Sequence, residues 1–270
     1  MKLLVPTDFS ELSNVALNYA IACAGKTGAS IHLHHNAIYE GPPSAGVLID
    51  LSSKVVQQAE FELNAFAKKT RESCNHEIDI SWEVTSYHNH AKAIHKVADS
   101  SGSSLIIMGS KGRSGIKGVL VGQVAYQTLL EVSCPTLVIP PDCLYELQGS
   151  ALFSIDANKQ PETESLSALG RILKSIGYSM DLLFVNAETD NNSIYEIRDS
   201  VAASCPDVKL NVFTESNENI IDAIETFIEQ HNSKMLILYP GHHNIFAELL
   251  GKSITQKLLS HSKIPILSIT

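Results

Sequence analysis

The apolar positions of this chain fall into short unbroken runs, separated by stretches that carry a helical period. "KLLVP" (2–6), "SLIIMG" (104–109) and "TLVIP" (136–140) have the length and the all-apolar pattern of strands buried on both faces. "SIHLHHNA" (30–37) and "DISWEVT" (79–85) read as two further strands. Between these runs, Leu12, Val15, Ala16, Tyr19 and Cys23 share one helical face behind Ser10, a residue type that caps helices. Helical spacing also predicts "QQAEFELNAFAKKTRES" (57–73), "AKAIHKVADSSG" (91–102) and "VAYQTLLEVS" (124–133) as helices. Strands alternating with helices imply a parallel, doubly wound sheet.

The pattern then repeats. "LFSID" matches "LVPTD", placing Asp156 148 residues after Asp8, and "LFVNA" matches "LHHNA" at an offset of 150. "AIETFIEQHNSKMLILY" matches "AIHKVADSSGSSLIIMG", and "KIPILSI" matches "SCPTLVI", both at an offset of 130. The drop from 150 to 130 gives the first copy about twenty extra residues between its second and third strands, and "IYEGPPSAGVLID" (38–50) within them reads as a loop or lid. Coincidence would not keep one offset through a helix, a strand and a final proline-led strand. Two tandem α/β domains are expected, 1–142 and 150–270, each with a mostly five-stranded parallel sheet, joined near 141–149 and packed as a pseudo-dimer.

Composition narrows the class. With 44% hydrophobic residues the chain can bury a core, and its net charge of −9 makes it a poor general partner for nucleic acid. The five cysteines (Cys23, Cys74, Cys134, Cys143, Cys205) are widely spaced with no CxxC, which argues for reduced thiols rather than a disulfide framework or zinc knuckle. The opening "MKLLVPTDFS" meets Pro6 and Asp8 before a signal-peptide core forms, and no segment approaches the ~20 apolar residues of a membrane span. A cytoplasmic location with no membrane contact is the expectation.

Against this acidic background, "GSKGRSGIKGVLVGQ" (109–123) holds five glycines and the cations Lys111, Arg113 and Lys117, and residues 100–130 contain no acid. It links the carboxyl end of a strand to a helix start. In open parallel sheets that edge binds ligands, and bare amides leading into a helix N-terminus favour phosphate. A solvated surface loop is the plain alternative.

The spacing Gly109-x-x-Gly112, nine residues, Gly122 resembles the nucleotide-binding signature of the universal stress protein family. "VPTDFSELSNVALNYA" is similar to that family's first strand and helix, and "CPTLVIP" to its last strand. The resemblance covers nearly the whole chain as a tandem protein, the first half matching better. It implies an adenine-nucleotide alpha-hydrolase-like fold and a site for ATP, with ADP or AMP as alternatives and Mg²⁺ carried on the phosphates. Pro6, Thr7 and Asp8 would lie at the end of the first strand, with Asp8 facing the ribose. Asn36 would stand at the adenine edge, where the family uses mainly backbone groups. Met108, Gly109, Lys111, Gly112, Arg113, Gly122, Gln123 and Val124 would form the phosphate side. Gln123 departs from the family's Ser or Thr. The resemblance further implies pairing of the halves through the last strands, and the sequence leaves open a homodimer of the whole chain.

In the second half Gly109, Gly112 and Gly122 become Tyr239, His242 and Lys252, so no nucleotide is expected there. "GKS" (251–253) lacks the glycine a P-loop needs, Phe246 standing in its place. The eleven histidines show no zinc-ligand spacing, and no nucleophile–base–orienter set is visible. Three readings remain at this stage, the first two being a nucleotide-binding stress-response module acting on a protein partner unknown from sequence and an enzyme that slowly hydrolyses or transfers from ATP. A third is a structural member that has lost its ligand.

Overall fold

The computed structural model describes residues 1–39, 48–111, 122–141, 143, 146, 148–156, 160–186, 191–239 and 262–269. The first half contains β1 (Lys2–Pro6), α1 (Glu11–Thr27), β2 (Ser30–Asn36), α2 (Leu48–Ser73) and β3 (Ile80–Thr85). It continues through α3 (His90–Ser101), β4 (Leu105–Gly109), α4 (Gln123–Glu131) and β5 (Thr136–Ile139). The second half contains β6 (Gly149–Ile155), α5 (Thr163–Ile176), β7 (Tyr178–Val185), α6 (Asn191–Ser204) and β8 (Leu210–Glu215). Its further described elements are α7 (Ile220–His231), β9 (Met235–Leu238) and β10 (Ile266–Ser268).

The ten strands among the described residues form one sheet in the order β3-β2-β1-β4-β5-β10-β9-β6-β7-β8. Each half is a doubly wound parallel unit of five strands, and the second runs in mirrored order from the seam. At the seam β5 and β10 pair antiparallel, Val138 opposite Ile266 and Leu137 opposite Leu267. This antiparallel pair lets two parallel sheets share a centre, covering apolar edges that would otherwise template aggregation.

Both apolar layers cross the seam. On the α1/α5 side, Leu3, Leu33 and Leu105 belong to the same buried cluster as Phe153, Leu182 and Leu267. On the α3/α4/α7 side, Leu4, Ile106 and Val138 join Leu152, Leu236 and Ile266. Polar contacts cross it too: Lys26 Nζ donates to Ile176 O at the end of α5 (2.7 Å), and Ser268 Oγ to Leu129 O (3.1 Å).

The register repeats with the sequence. Leu3 pairs with Leu105 and Leu4 with Ile106, as Ala151 pairs with Met235 and Leu152 with Leu236. One match shifts. Lys2 lies opposite Ser30 and Ser150 opposite Ser179, so the second strands correspond at an offset of 149, not the 150 read from "LHHNA" and "LFVNA". The extra residue is taken up by Asn186, which stands past the end of β7 at φ 51. Asparagine tolerates that left-handed backbone better than most residues.

α2 starts at Leu48, nine residues before the predicted Gln57. Ser52 and Ser53 weaken the pattern there, but serine in a helix costs only fractions of a kcal/mol per residue, which a long amphipathic helix absorbs. Of the expected lid, residues 40–47 lie outside the described residues. All five cysteines are free thiols. Among the described residues no helix is long and apolar enough to cross a membrane.

Candidate functional site

The carboxyl ends of β1, β2 and β4 converge on one edge of the first half. The turn after β1 is built from short polar side chains. Ser10 caps α1, its hydroxyl accepting from Ser13 N (3.2 Å) and donating to Asp8 Oδ1 (2.5 Å); Ser10 N also donates to Asp8 Oδ1 (3.1 Å). Asp8 therefore does not cap the helix itself; Ser10 does, and Asp8 is held by Ser10. Ser13 Oγ donates to Ser10 O (2.9 Å), so the Thr7 hydroxyl supplies the proton between Thr7 and Ser13 (3.1 Å) while accepting from Phe9 N (3.0 Å). Thr7 is thus part of the scaffold. Pro6 ends β1 opposite His34, and Thr7 N donates to His34 O (2.8 Å).

The end of β2 carries a hydrogen-bonded string. Thr85 Oγ1 donates to Asn36 Oδ1 (2.9 Å), which spends its only proton, so His34 Nε2 must donate to Thr85 Oγ1 (2.8 Å). His34 is thereby fixed as the Nε2–H tautomer, with Nδ1 buried and without a partner among the described residues. Burial first, then the neighbouring His35, His32 and His90, push this imidazole down to about 3. Asn36 Nδ2 donates to Tyr87 O (2.8 Å) and to His90 Nδ1 (3.1 Å), and Tyr87 N donates back to Asn36 Oδ1 (2.8 Å). The Asn36 side chain is committed to the turn between β3 and α3, which leaves backbone groups for any ligand at this edge. The second half reproduces only the clasp: Asn217 N donates to Asn186 Oδ1 (2.8 Å) and Asn186 Nδ2 to Asn217 O. Leu183 and Ile220 stand where the first half has His34 and His90.

His32 and His34 are both buried, and His35 faces the opposite side, as strand alternation requires. His32 Nδ1 meets Ser81 Oγ (2.8 Å), and burial lowers its pKa against the pull of Glu83. His35 Nδ1 donates to Thr7 O (2.7 Å).

At β4 the glycine stretch leaves through Gly109, Ser110 and Lys111 and returns at Gly122. Its ends are tied together, Gly122 N donating to Ser110 O (2.7 Å), while Ser110 N donates to Ile139 O (2.9 Å). Gly122 is the N-cap of α4 and gives no side-chain cap, and Gln123, the first helical residue, is exposed. The Ser110 hydroxyl, in a residue only 4% exposed, is buried and has no partner among the described residues. Val124 packs on the core beside buried Met108. Lys111 is half-buried. Gly112, Arg113, Ser114 and Lys117 lie outside the described residues.

Gly109 has a packing reason to be glycine besides the one its spacing gave. A Cβ there would stand 2.9 Å from Leu12 O, inside the first turn of α1. Close packing of helix on strand, rather than ligand approach alone, excludes a side chain. In the second half the counterpart Tyr239 is buried, and its hydroxyl accepts from Glu162 N (3.3 Å), the N-cap residue of α5. Room exists because α5 begins later: Gly28 and Gly177 close the two helices, yet α1 has 17 residues and α5 has 14. His242, Lys252 and Ser253 lie outside the described residues.

Some of this network had no sequence signal. Phe9 takes φ 60, and its ring lies between His35 (4.8 Å) and Phe66 of α2 (5.6 Å, edge-on). An aromatic side chain gives no hint of a left-handed backbone. The Thr85–Asn36–His90 string was equally silent, because it joins residues about fifty positions apart. Among the described residues no group of three or more His, Cys, Asp or Glu could hold a metal.

A tandem doubly wound α/β unit, with an uncapped helix N-terminus facing a strand tip in its first half, defines the class. The model of the universal stress protein family matches residues 1–140. The chain belongs to the universal stress protein family, as a tandem two-domain member. Its relatives include universal stress protein MJ0531 of Methanocaldococcus jannaschii, 28% identical over 141 residues, which cover 51% of this chain and 81% of that protein. Universal stress protein MJ0577 of the same organism is 27% identical over 151 residues, covering 51% and 93%. Among solved structures, a universal stress protein from Archaeoglobus fulgidus aligns over 100% of this chain and 96% of its own, with a TM-score of 0.69 at 19% identity. A putative universal stress protein from Pseudomonas aeruginosa aligns over 99% and 92%, with a TM-score of 0.63 at 15% identity. These two likenesses establish the fold.

Proposed function

We propose that the first half binds an adenine nucleotide, ATP in the first instance, and that the chain acts as a nucleotide-dependent stress-response module rather than as an enzyme. One observation carries the reading: the Ser110–Gly122 hydrogen bond sets the N-terminus of α4, without a side-chain cap, at the tip of β4, beside the buried Ser110 hydroxyl, which has no partner among the described residues. Amide groups, a helix dipole and a spare hydroxyl in one place suit a phosphate chain. Gly122, Gln123 and Val124 would offer backbone N–H groups, with Lys111, Gly112 and Arg113 adding amides and charge. Exposed Gln123 would reach a phosphate oxygen through its amide. Asp8 would accept from the ribose hydroxyls, and Mg²⁺, if carried, would ride on phosphate oxygens.

The unit 1–142 holds this site. The unit 150–270 serves as its built-in partner, with buried Tyr239 filling the position that Gly109 leaves bare. Occupancy would change a surface that a protein partner reads in the cytoplasm. Equilibrium titration of ATP against the wild type, Gly112→Trp and Asp8→Ala tests the assignment. Saturable binding that both substitutions weaken is expected; equal affinity in all three proteins would remove the site.

A further inference from the structure

Among the described residues, Phe9 is the one whose backbone least fits its side chain. Its φ of 60 is left-handed, a conformation that a bulky aromatic rarely adopts and holds only when its surroundings impose it. Three contacts impose it here. Phe9 N is held by Thr7 Oγ1, and the ring is lodged between His35 on β2 and Phe66 on α2. His35 is itself fixed by its bond to Thr7 O. The reversal of the chain at Phe9 brings Ser10 N and Ser10 Oγ back onto Asp8 Oδ1. The strained residue therefore sits between the candidate ribose-binding carboxylate and α2.

We propose that Phe9 is a positioning residue: its ring, anchored on His35 and Phe66, holds the left-handed turn that aims the Asp8 carboxylate at the ribose hydroxyls. This rests on the nucleotide reading above. The phosphate side of the site is built on β4 and α4 and does not depend on this turn. Loss of the ring therefore removes ribose recognition while leaving phosphate binding in place.

The test compares ATP with 2′,3′-dideoxy-ATP, which lacks both ribose hydroxyls. In the wild type ATP binds about tenfold more tightly, as expected for hydrogen bonds to a charged group. Phe9→Ala loses most of that preference, with dideoxy-ATP affinity unchanged, and Phe9→Tyr, which keeps the ring, retains it. Phe66→Ala, outside the turn, gives a smaller loss of the same kind. In an Asp8→Ala background Phe9→Ala has no further effect. Phe9→Gly, which takes the left-handed backbone without strain, keeps more of the preference than Phe9→Ala, and Phe9→Leu, without the aromatic ring, gives the selective loss should Phe9→Ala fold poorly. A Phe9→Ala protein that keeps the wild-type preference, or that loses affinity for both nucleotides equally, overturns the proposal. So does a wild type that binds both alike. Failure of the wild type to bind either nucleotide overturns the nucleotide reading instead.

Discussion

Gly109 and Leu12 approach so closely that a side chain on the glycine would stand 2.9 Å from the Leu12 carbonyl oxygen. The strand that delivers the glycine stretch is therefore clamped by the first turn of α1, and the two face the same edge. Gly109→Ala should destabilise the protein by about 1–3 kcal/mol, since the clashing atom is backbone and cannot swing aside. Urea unfolding without added ligand checks this; an unchanged midpoint would assign Gly109 to ligand approach alone.

Tyr239 answers the same geometry in the second half by filling it. Tyr239→Phe keeps the ring and loses the bond to Glu162 N, costing about 0.5–1.5 kcal/mol. Tyr239→Ala also empties a buried volume, costing about 3–5 kcal/mol. Comparable losses for the two variants would show the hydroxyl, not the ring, to be what matters.

Nucleotide should bind at one site per chain. Calorimetric titration of the intact protein is expected to saturate at a one-to-one ratio, because Tyr239 occupies the corresponding position in the second half. Two equivalents would mean that the second half opens.

Acid should weaken the fold through His34. Its folded pKa is about 3, against about 6.5 for an unfolded histidine, so the unfolded chain takes up a proton that the native one refuses. Its contribution is intact above pH ~6.5 and declines as pH falls toward ~3, at up to about 1.4 kcal/mol per pH unit. His34→Leu, copying Leu183 of the second half, should flatten unfolding free energy against pH between about 4 and 6 by one proton's worth. An unaltered slope would place the proton uptake elsewhere.

Residues 1–142 expressed alone should not stay monomeric. Removing β10 bares Thr136–Ile139 and splits both apolar layers at the seam. Sedimentation analysis should find dimers or larger species; a stable monomer would show the seam to be dispensable.

Much of the fold was legible because its signals are local. Apolar runs set the strands, and a constant offset of 130 carried α3, β4 and β5 onto α7, β9 and β10. The one-residue error at β7 arose because Asn36 and Asn186 do the same work from different register positions, and similarity tracks the work. At the site, the positions of Asp8, Asn36, Gly109 and Gly122 at one edge were readable from strand ends. What their side chains do was not: Asn36 and Thr7 turned out to brace the scaffold, and Gly109 answers to Leu12.

The sequence by itself determined the alternation of strands and helices, the duplication and the cluster of glycines and cations, since each is written in neighbouring residues. Only the tertiary structure decided which glycine is required by packing, which histidine is buried neutral, and that Phe9 bears a left-handed backbone. Those properties belong to contacts between residues far apart in the chain, such as Gly109 with Leu12 and Phe9 with Phe66, and no local pattern encodes a distant neighbour.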